Sequence, residues 1–292
     1  MSAINPSLAL LDLLERRVRR RSSVFRRRAS LIVGCSMLLL AIVVTVGAPL
    51  FTNYDPNEID PLNPLAPPLS PGHPLGTDNF GRDILSRILY GGRIDLLIAF
   101  GATSVTLVVG TVIGLFSGYL GGWIDATIMR IVDLIFAFPF FVLVIAIVAM
   151  LGPSVFNMFI AIWMTSWITY TRITRGHTLV AKRHEYVLAA RALGYSRGRV
   201  MLRHILPNVL SFVIIFAMVD AVGNVLLGAA LGFLGLGAKP PSPEWGVMIS
   251  DGQNYIFTQW WLATFPGIAI VIVGVGFSLI GDGLADVLRP GD

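Results

Sequence analysis

Apolar residues in this chain run together in stretches far longer than a soluble core uses. Residues 31–51 carry no charge, and none falls between Asp95 and Asp125. Between Asp133 and Arg172 lie 38 uncharged residues, divided by Gly152-Pro153, a pair suited to a tight turn between two helices. Residues 208–236 are interrupted only by Asp220, and 262–284 form the last run. A helix needs roughly 20 apolar residues to cross about 30 Å of hydrocarbon. The pattern therefore predicts six membrane-spanning helices, at 31–51, 96–120, 131–151, 154–171, 208–236 and 262–284. No run alternates with period two, so strands of a barrel do not fit.

The segments between the runs carry patterns of their own. Residues 52–74 are rich in Pro and Asn and read as an extended, turn-filled loop. Ile84, Leu85, Ile88 and Leu89 follow at helical spacing with Arg82, Asp83, Ser86 and Arg87 between them, which predicts a short amphipathic helix along the membrane or against its own bundle. Leu8, Leu11, Leu14 and Val18 also fall at helical spacing. Two readings stand for them: a helix on the anionic inner leaflet, or a flexible tail whose charges only fix topology. Between Lys239 and Trp261, the prolines Pro240, Pro241 and Pro243 stiffen a loop that leads into a short helix, as a cap on a pore or a contact for a partner.

Composition agrees with a membrane protein. The chain has 292 residues, 55% hydrophobic and 13% charged, against about a quarter charged in an ordinary soluble domain, and its mean hydropathy is +0.75. The basic residues are sorted. With six crossings, 18 of the 22 Lys+Arg fall on one side, including eight arginines from Arg16 to Arg28 and eight Lys/Arg from Arg172 to Arg203. Arg82, Arg87, Arg93 and Lys239 fall on the other. Basic excess marks the cytoplasmic side, so both termini are expected inside. Tyr255, Phe257, Trp260 and Trp261 then mark the outer interface. The basic N-terminus has no accompanying nucleic-acid-binding fold. Thirty residues ahead of the first run make it too late for a cleaved signal.

Several chemistries are missing. One cysteine, Cys35, excludes an internal disulfide and a multi-cysteine zinc site, and its place in an apolar run reads as packing. Ser278 would need a histidine base for protease chemistry, but His73, His177, His184 and His204 all lie outside the runs. His177 and His184 read as surface residues and not as metal ligands. Asp220 and Asp282 differ too much in depth to share a water. Neither Lys182 nor Lys239 follows a glycine, so no phosphate-cradling loop ending in Gly-Lys is present.

The segment from Glu185 to Asn208 is the most informative. It predicts a helix over 186–193 with small Ala189 and Ala190, ended by Gly194 in the left-handed conformation. Ser196 caps a second helix, and Pro207 sits in the first turn of the fifth span. Eight basic residues surround this two-helix elbow, which reads as a docking element.

The elbow resembles the loop motif of permease subunits of ABC importers: Glu-Ala-Ala, three residues, Gly, nine residues, Ile, one residue, Leu-Pro. Ala189, Ala190, Gly194, Leu206 and Pro207 match at the right spacing, while Leu188 stands where the glutamate would be and His204 where the isoleucine would be. The stretches His73–Asp78, Gly81–Arg87, Gly118–Asp125, Met129–Asp133, Leu231–Gly246 and Gly281–Asp286 resemble the second permease subunit of dipeptide, oligopeptide and nickel importers.

The resemblance implies an all-α polytopic fold of the type I ABC importer permease, six transmembrane helices with both termini cytoplasmic, multi-pass in a bacterial inner membrane. Its divisions would be a basic N-terminal segment (1–30), a first span (31–51), an external loop with the amphipathic helix (52–95), a permease core (96–286) holding the coupling loop (172–207), and a tail (287–292). Leu188, Ala189, Ala190, Arg191, Gly194, Leu206 and Pro207 would couple to an ATPase. Partners would be a homologous permease, two ATPases that carry ATP and Mg, an external solute-binding protein and lipid; this chain itself would bind no cofactor and no nucleic acid. The cargo would be peptides or a related small solute. Family members often carry an acid near the place of Gly228; here the acid is Asp220.

Asp220 lies roughly 18 Å into the fifth run at 1.5 Å per residue, where an aspartate costs about 2.5–3.5 kcal/mol. Asn224 shares its face. Two readings stand: both line the solute route or its seam, or both make a packing hydrogen bond. Gly110, Gly114, Gly118 and Gly122, with Gly228 and Gly232, read as close-packing seams. Pro139 and Pro266 predict kinks. The main alternative to an importer subunit is an ion-coupled transporter acting alone; a membrane scaffold is a third.

Overall fold

The computed structural model describes residues 29–288, and among these no strand forms beyond two isolated bridges, Ser70–His73 and Thr77–Asp83. The helices are α1 (Ala29–Val46) and α2 (Ala48–Phe51), then α3 (Ile84–Leu120), α4 (Gly122–Phe136), α5 (Phe140–Leu151) and α6 (Val155–Ala181). α7 (Glu185–Ala192), α8 (Arg197–Val200), α9 (Leu206–Phe233), α10 (Trp245–Gly252) and α11 (Trp261–Leu288) complete the fold. The predicted helix over Leu8 to Val18 and the arginines Arg16 to Arg28 lie outside the described residues.

Four helical runs are long and apolar enough to cross a membrane: α1, α3, Arg197–Phe233 and α11. α4 and α5 make a fifth if the bent pair is one span. α6 is not among them, because its second half carries Tyr170, Thr171, Arg172, Thr174 and Arg175. α4 and α5 meet at 83° around Ala137–Pro139, a break that Pro139 predicts. α11, by contrast, runs through Pro266 without a break.

The predicted amphipathic helix is no separate element. α3 takes in residues 84–95 and the second apolar run as one helix of 37 residues, about 55 Å long at 1.5 Å per residue. That exceeds the hydrocarbon thickness by about 25 Å, so one end of α3 projects. The polar residues of that stretch, Arg82, Asp83, Ser86 and Arg87, are all buried against the protein's own bundle, one of the two placements expected. Asp83 caps α3 by accepting from Ser86 N at 2.7 Å, and pairs with His73 Nδ1 at 2.9 Å. Arg87 is 1% exposed and donates to the carbonyls of Pro56 and Pro241. Arg82 pairs with Asp78 at 2.6 Å. Residues 52–74 are turn-filled, as expected, and the turns continue to residue 83; the whole segment folds over this end of α3. Asp60 of this loop is held below its usual range by Asn63 and the Leu62 N–H.

The proline-stiffened loop and α10 also fold inward. Trp245 is buried and donates to Ile88 O at 3.0 Å. Trp261 is buried under the loop with its indole directed at Thr77 O, whereas Phe257 and Trp260 are exposed as interface rings should be. Cys35 is exposed on α1, a correction to its reading as a packing residue.

α3 and α6 form the central seam, and glycines set its closeness. A Cβ on Gly110 would lie 2.4 Å from Tyr170 Cβ, and one on Gly114 would lie 2.5 Å from Thr171 O. Gly118 likewise meets Arg175 O at 2.9 Å. Gly122 does not belong to this ladder: it faces open space at φ +60°, as the first residue of α4. Below the seam, Arg175 forks onto Asp125 of α4 at 2.5 and 2.7 Å, and Lys182 Nζ donates to Gly118 O at 2.8 Å.

Candidate functional site

The elbow between α6 and α9 is built by local chain chemistry. Glu185 in the first turn of α7 and Arg191 in the last complement the helix dipole. Gly194, at φ +80°, ends α7. Tyr195 N donates to Ala190 O at 3.2 Å and Gly194 N to Arg191 O at 3.0 Å, which closes both orphan carbonyls as a left-handed glycine stop does. Ser196 Oγ accepts from Arg199 N and starts α8.

The second helix of the elbow then continues. α8 passes through a wide π turn, Met201–Ile205, straight into α9. Pro207 is therefore in the first turn of α9, as expected, but not at a free helix start. The wide turn has a physical reason: proline lacks an N–H and crowds the carbonyl one turn back, and an extra residue in the turn relieves both. α8, the π turn and α9 form one lever of 37 residues.

α7 is held to this lever by its inner face. Val187 and Ala190 pack with Val200, Met201, Ile205 and Val209, against Leu115 and Tyr119 of α3. Asn208 Nδ2 donates to Tyr186 Oη at 3.1 Å. The Arg191 guanidinium lies over the Tyr119 ring. Of the two alanines expected to meet a partner, only Ala189 faces out; Ala190 belongs to the core. Leu206 is half-buried and Pro207 exposed. The open face adds residues that the motif does not name: Leu188 is 49% exposed, Leu193 74%, and Leu202 also stands out. Arg183, Arg191, Arg197, Arg199 and Arg203 surround it, and among the described residues none of them forms an ion pair. His184 stacks on Tyr186 and His204 on Tyr195, while His177, half-buried, stacks on Phe212. Among the described residues no three His, Cys, Asp or Glu side chains converge as a metal site.

The second candidate lies inside the bundle. Asp220 Oδ2 accepts from Tyr170 Oη at 2.9 Å and from Asn224 Nδ2 at 3.1 Å. Asn224 Nδ2 also donates to Thr103 Oγ1 at 2.9 Å. The knot ties α9 to α6 and α3. Asn224 is 2% exposed and sealed inside, whereas Asp220 keeps a partly open edge. Of the two sequence readings, the geometry gives the packing bond directly. Tyr170 and Thr103 were not foreseen: hydroxyls in an apolar run signal a polar contact, but nothing in the chain order pairs residues 50 and 121 apart. At Gly228 a Cβ would lie 3.1 Å from Ile98 Cγ2, so a side chain there would have to displace Ile98.

Residues 110–291 match the family described as the binding-protein-dependent transport system inner membrane component. The chain is 45% identical over 259 residues to the dipeptide transport system permease protein DppC of Alkalihalophilus pseudofirmus, covering 89% of this chain and 85% of that one. It is 41% identical to the probable D,D-dipeptide transport system permease protein DdpC of Escherichia coli, covering 89% and 87%. It is 38% identical to the glutathione transport system permease protein GsiD of Pectobacterium atrosepticum, covering 91% and 88%. Described residues whose regular elements are all helices, several apolar spans, a basic elbow with an exposed apolar face, and these matches lead to one conclusion: the chain belongs to the binding-protein-dependent transport system inner membrane components, the multi-pass permeases of bacterial transport systems.

Proposed function

We propose that this chain forms half of the translocation path of an ATP-driven importer for short peptides, and that α7 is where a separate ATPase pushes it. The exposed face of Leu188, Ala189 and Leu193, ringed by unpaired arginines, carries this reading. An apolar patch on a cytoplasmic loop costs free energy in water unless something covers it, and fully burying one leucine returns about 1.5–3 kcal/mol. In this reading α6 also crosses, beside α1, α3, the bent α4–α5 pair, the α8–α9 lever and α11. Six crossings would put the elbow and both termini on the cytoplasmic side with most of the basic residues.

ATP and Mg would be held by two ATPase subunits. A homologous permease would complete the path, and an external solute-binding protein would deliver the cargo. Closure of the ATPases would move α7. Because α7 is packed onto the lever and onto the C-terminal end of α3, that motion would pass into the bundle. Nucleotide can drive the change only as far as it binds the two states differently. The relatives' names, for dipeptide, D,D-dipeptide and glutathione systems, support a short peptide as cargo. They give no support to a transporter acting alone.

Affinity purification of this chain from its native membrane tests the reading. A second permease and two ATPases should co-purify, and peptide uptake should need all of them with ATP. Uptake by this chain reconstituted alone, driven by an ion gradient, would contradict it.

A further inference from the structure

On the face of the molecule opposite the elbow, two acids stand outside the import reading. Asp95 lies on α3 and Glu244 caps α10, and both are sealed from water. Glu244 Oε1 accepts from Gly246 N at 2.8 Å and Oε2 from Val247 N at 3.0 Å. Asp95 Oδ2 accepts from Trp245 N at 3.1 Å. Three successive amides at the start of α10 are thus divided between two carboxyls. One atom is left over: Asp95 Oδ1 is buried and has no donor, a costly state for a carboxylate oxygen.

No cation fills the gap. Arg87 on α3 donates to Pro56 O and Pro241 O and faces Asp78 and Asp251. Arg93 donates to the carbonyls of Thr45 and Val46 at the end of α1. α9 presents Gly232 to Glu244 and Ala229 to Gly246, neither of them charged. α10 contributes Asp251, which is engaged with Arg82. α11 meets α10 through Leu262 and Ala263, and its own acids, Asp282 and Asp286, lie at its other end. Lys239 is exposed on the loop. The packing is tight: a Cβ on Gly232 would lie 1.9 Å from Glu244 Oε2, and one on Gly91 1.9 Å from Pro243 O.

We propose that Asp95 and Glu244 form a proton-binding site, in which one proton on Asp95 Oδ1 is donated to Glu244 and ties α10 to α3. Two adjoining carboxyls in a dry seam cannot both ionise without strong repulsion, and they titrate as a pair. Burial pushes the Glu244 carboxyl above its ordinary range, and the two amides only partly offset it. The folded protein therefore keeps a proton that an unfolded chain releases near the ordinary carboxylate value of about 4. The seam's stability is complete below that value and falls as pH rises through the raised native one. Loss of the proton puts two charges side by side and loosens α10 from α3.

Hydrogen exchange on the full chain in lipid nanodiscs tests the site, read on the peptide spanning Trp245–Gly252 and corrected for the intrinsic pH dependence. In the wild type, protection should drop as pH is raised from about 5 to about 9. Asp95→Asn carries its own N–H donors for Glu244 and keeps an acceptor for Trp245 N, so its protection should stay high and flat. Glu244→Gln removes the other acid and should also flatten the profile. A flat wild-type profile, or the wild-type slope retained in both variants, would overturn the proposal.

Discussion

Single residues decide how closely α3 and α6 approach. Gly114 has Thr171 O and Thr174 Cβ within 2.8 Å of where a side chain would begin, so Gly114→Leu should overpack the seam at a cost of about 1–3 kcal/mol. Gly176 lies on the same α6 with open space around it. There Gly176→Ala should stabilise by about 0.4–1 kcal/mol, through the entropy of the unfolded chain. Thermal unfolding in detergent compares the two; opposite signs are expected. The polar knot gives a second prediction. Tyr170→Phe removes one of the two donors to Asp220, and hydrogen bonds between membrane helices are worth about 0.6 kcal/mol on average. A double-mutant cycle of Tyr170→Phe with Asp220→Asn should show coupling of that order. The sequence placed Asp220 and Asn224 on one face because helical spacing is local. It left their role open because Tyr170 and Thr103 reach them only through tertiary packing.

At the scale of elements, the breaks in the chain were legible and the joins were not. Gly152-Pro153 ends α5, Pro139 breaks α4 from α5, Gly194 stops α7 and Ser196 starts α8, each where the residue's own conformational limits put it. Those limits are properties of one or two residues, so a sequence displays them. The joins were missed for a different reason. Residues 84–95 run into α3 without a gap because the loop at 52–83 and α10 cover their polar side chains, and a cover made of distant segments leaves no periodic trace. α8 joins α9 through a π turn that periodicity of 3.6 does not anticipate. Gly194→Val should destabilise the stop of α7 by about 1–2 kcal/mol, since a side chain is penalised at φ +80°. Gly194→Asn should be milder, because asparagine tolerates that region. Membrane insertion should be normal in both; the ratio of ATP hydrolysed to peptide transported should rise in the valine variant and stay near wild type in the asparagine variant.

For the whole molecule, the claim is mechanical. One face carries α7 on the end of a 37-residue lever, and the opposite face is closed by α10 and the 52–83 loop. The knot of Asp220, Tyr170, Asn224 and Thr103 ties the lever to α6 and α3 between them. Force applied at α7 thus has a packed route through the bundle. Disulfide crosslinking tests this most directly, and the single native cysteine makes it clean. In a Cys35→Ser background, Leu188→Cys should crosslink to an ATPase subunit of the assembled transporter, in a yield that changes between the ATP-bound and nucleotide-free states, while a cysteine at buried Ala190 should not. No crosslink from Leu188 to any ATPase, with peptide uptake still intact, would contradict the account.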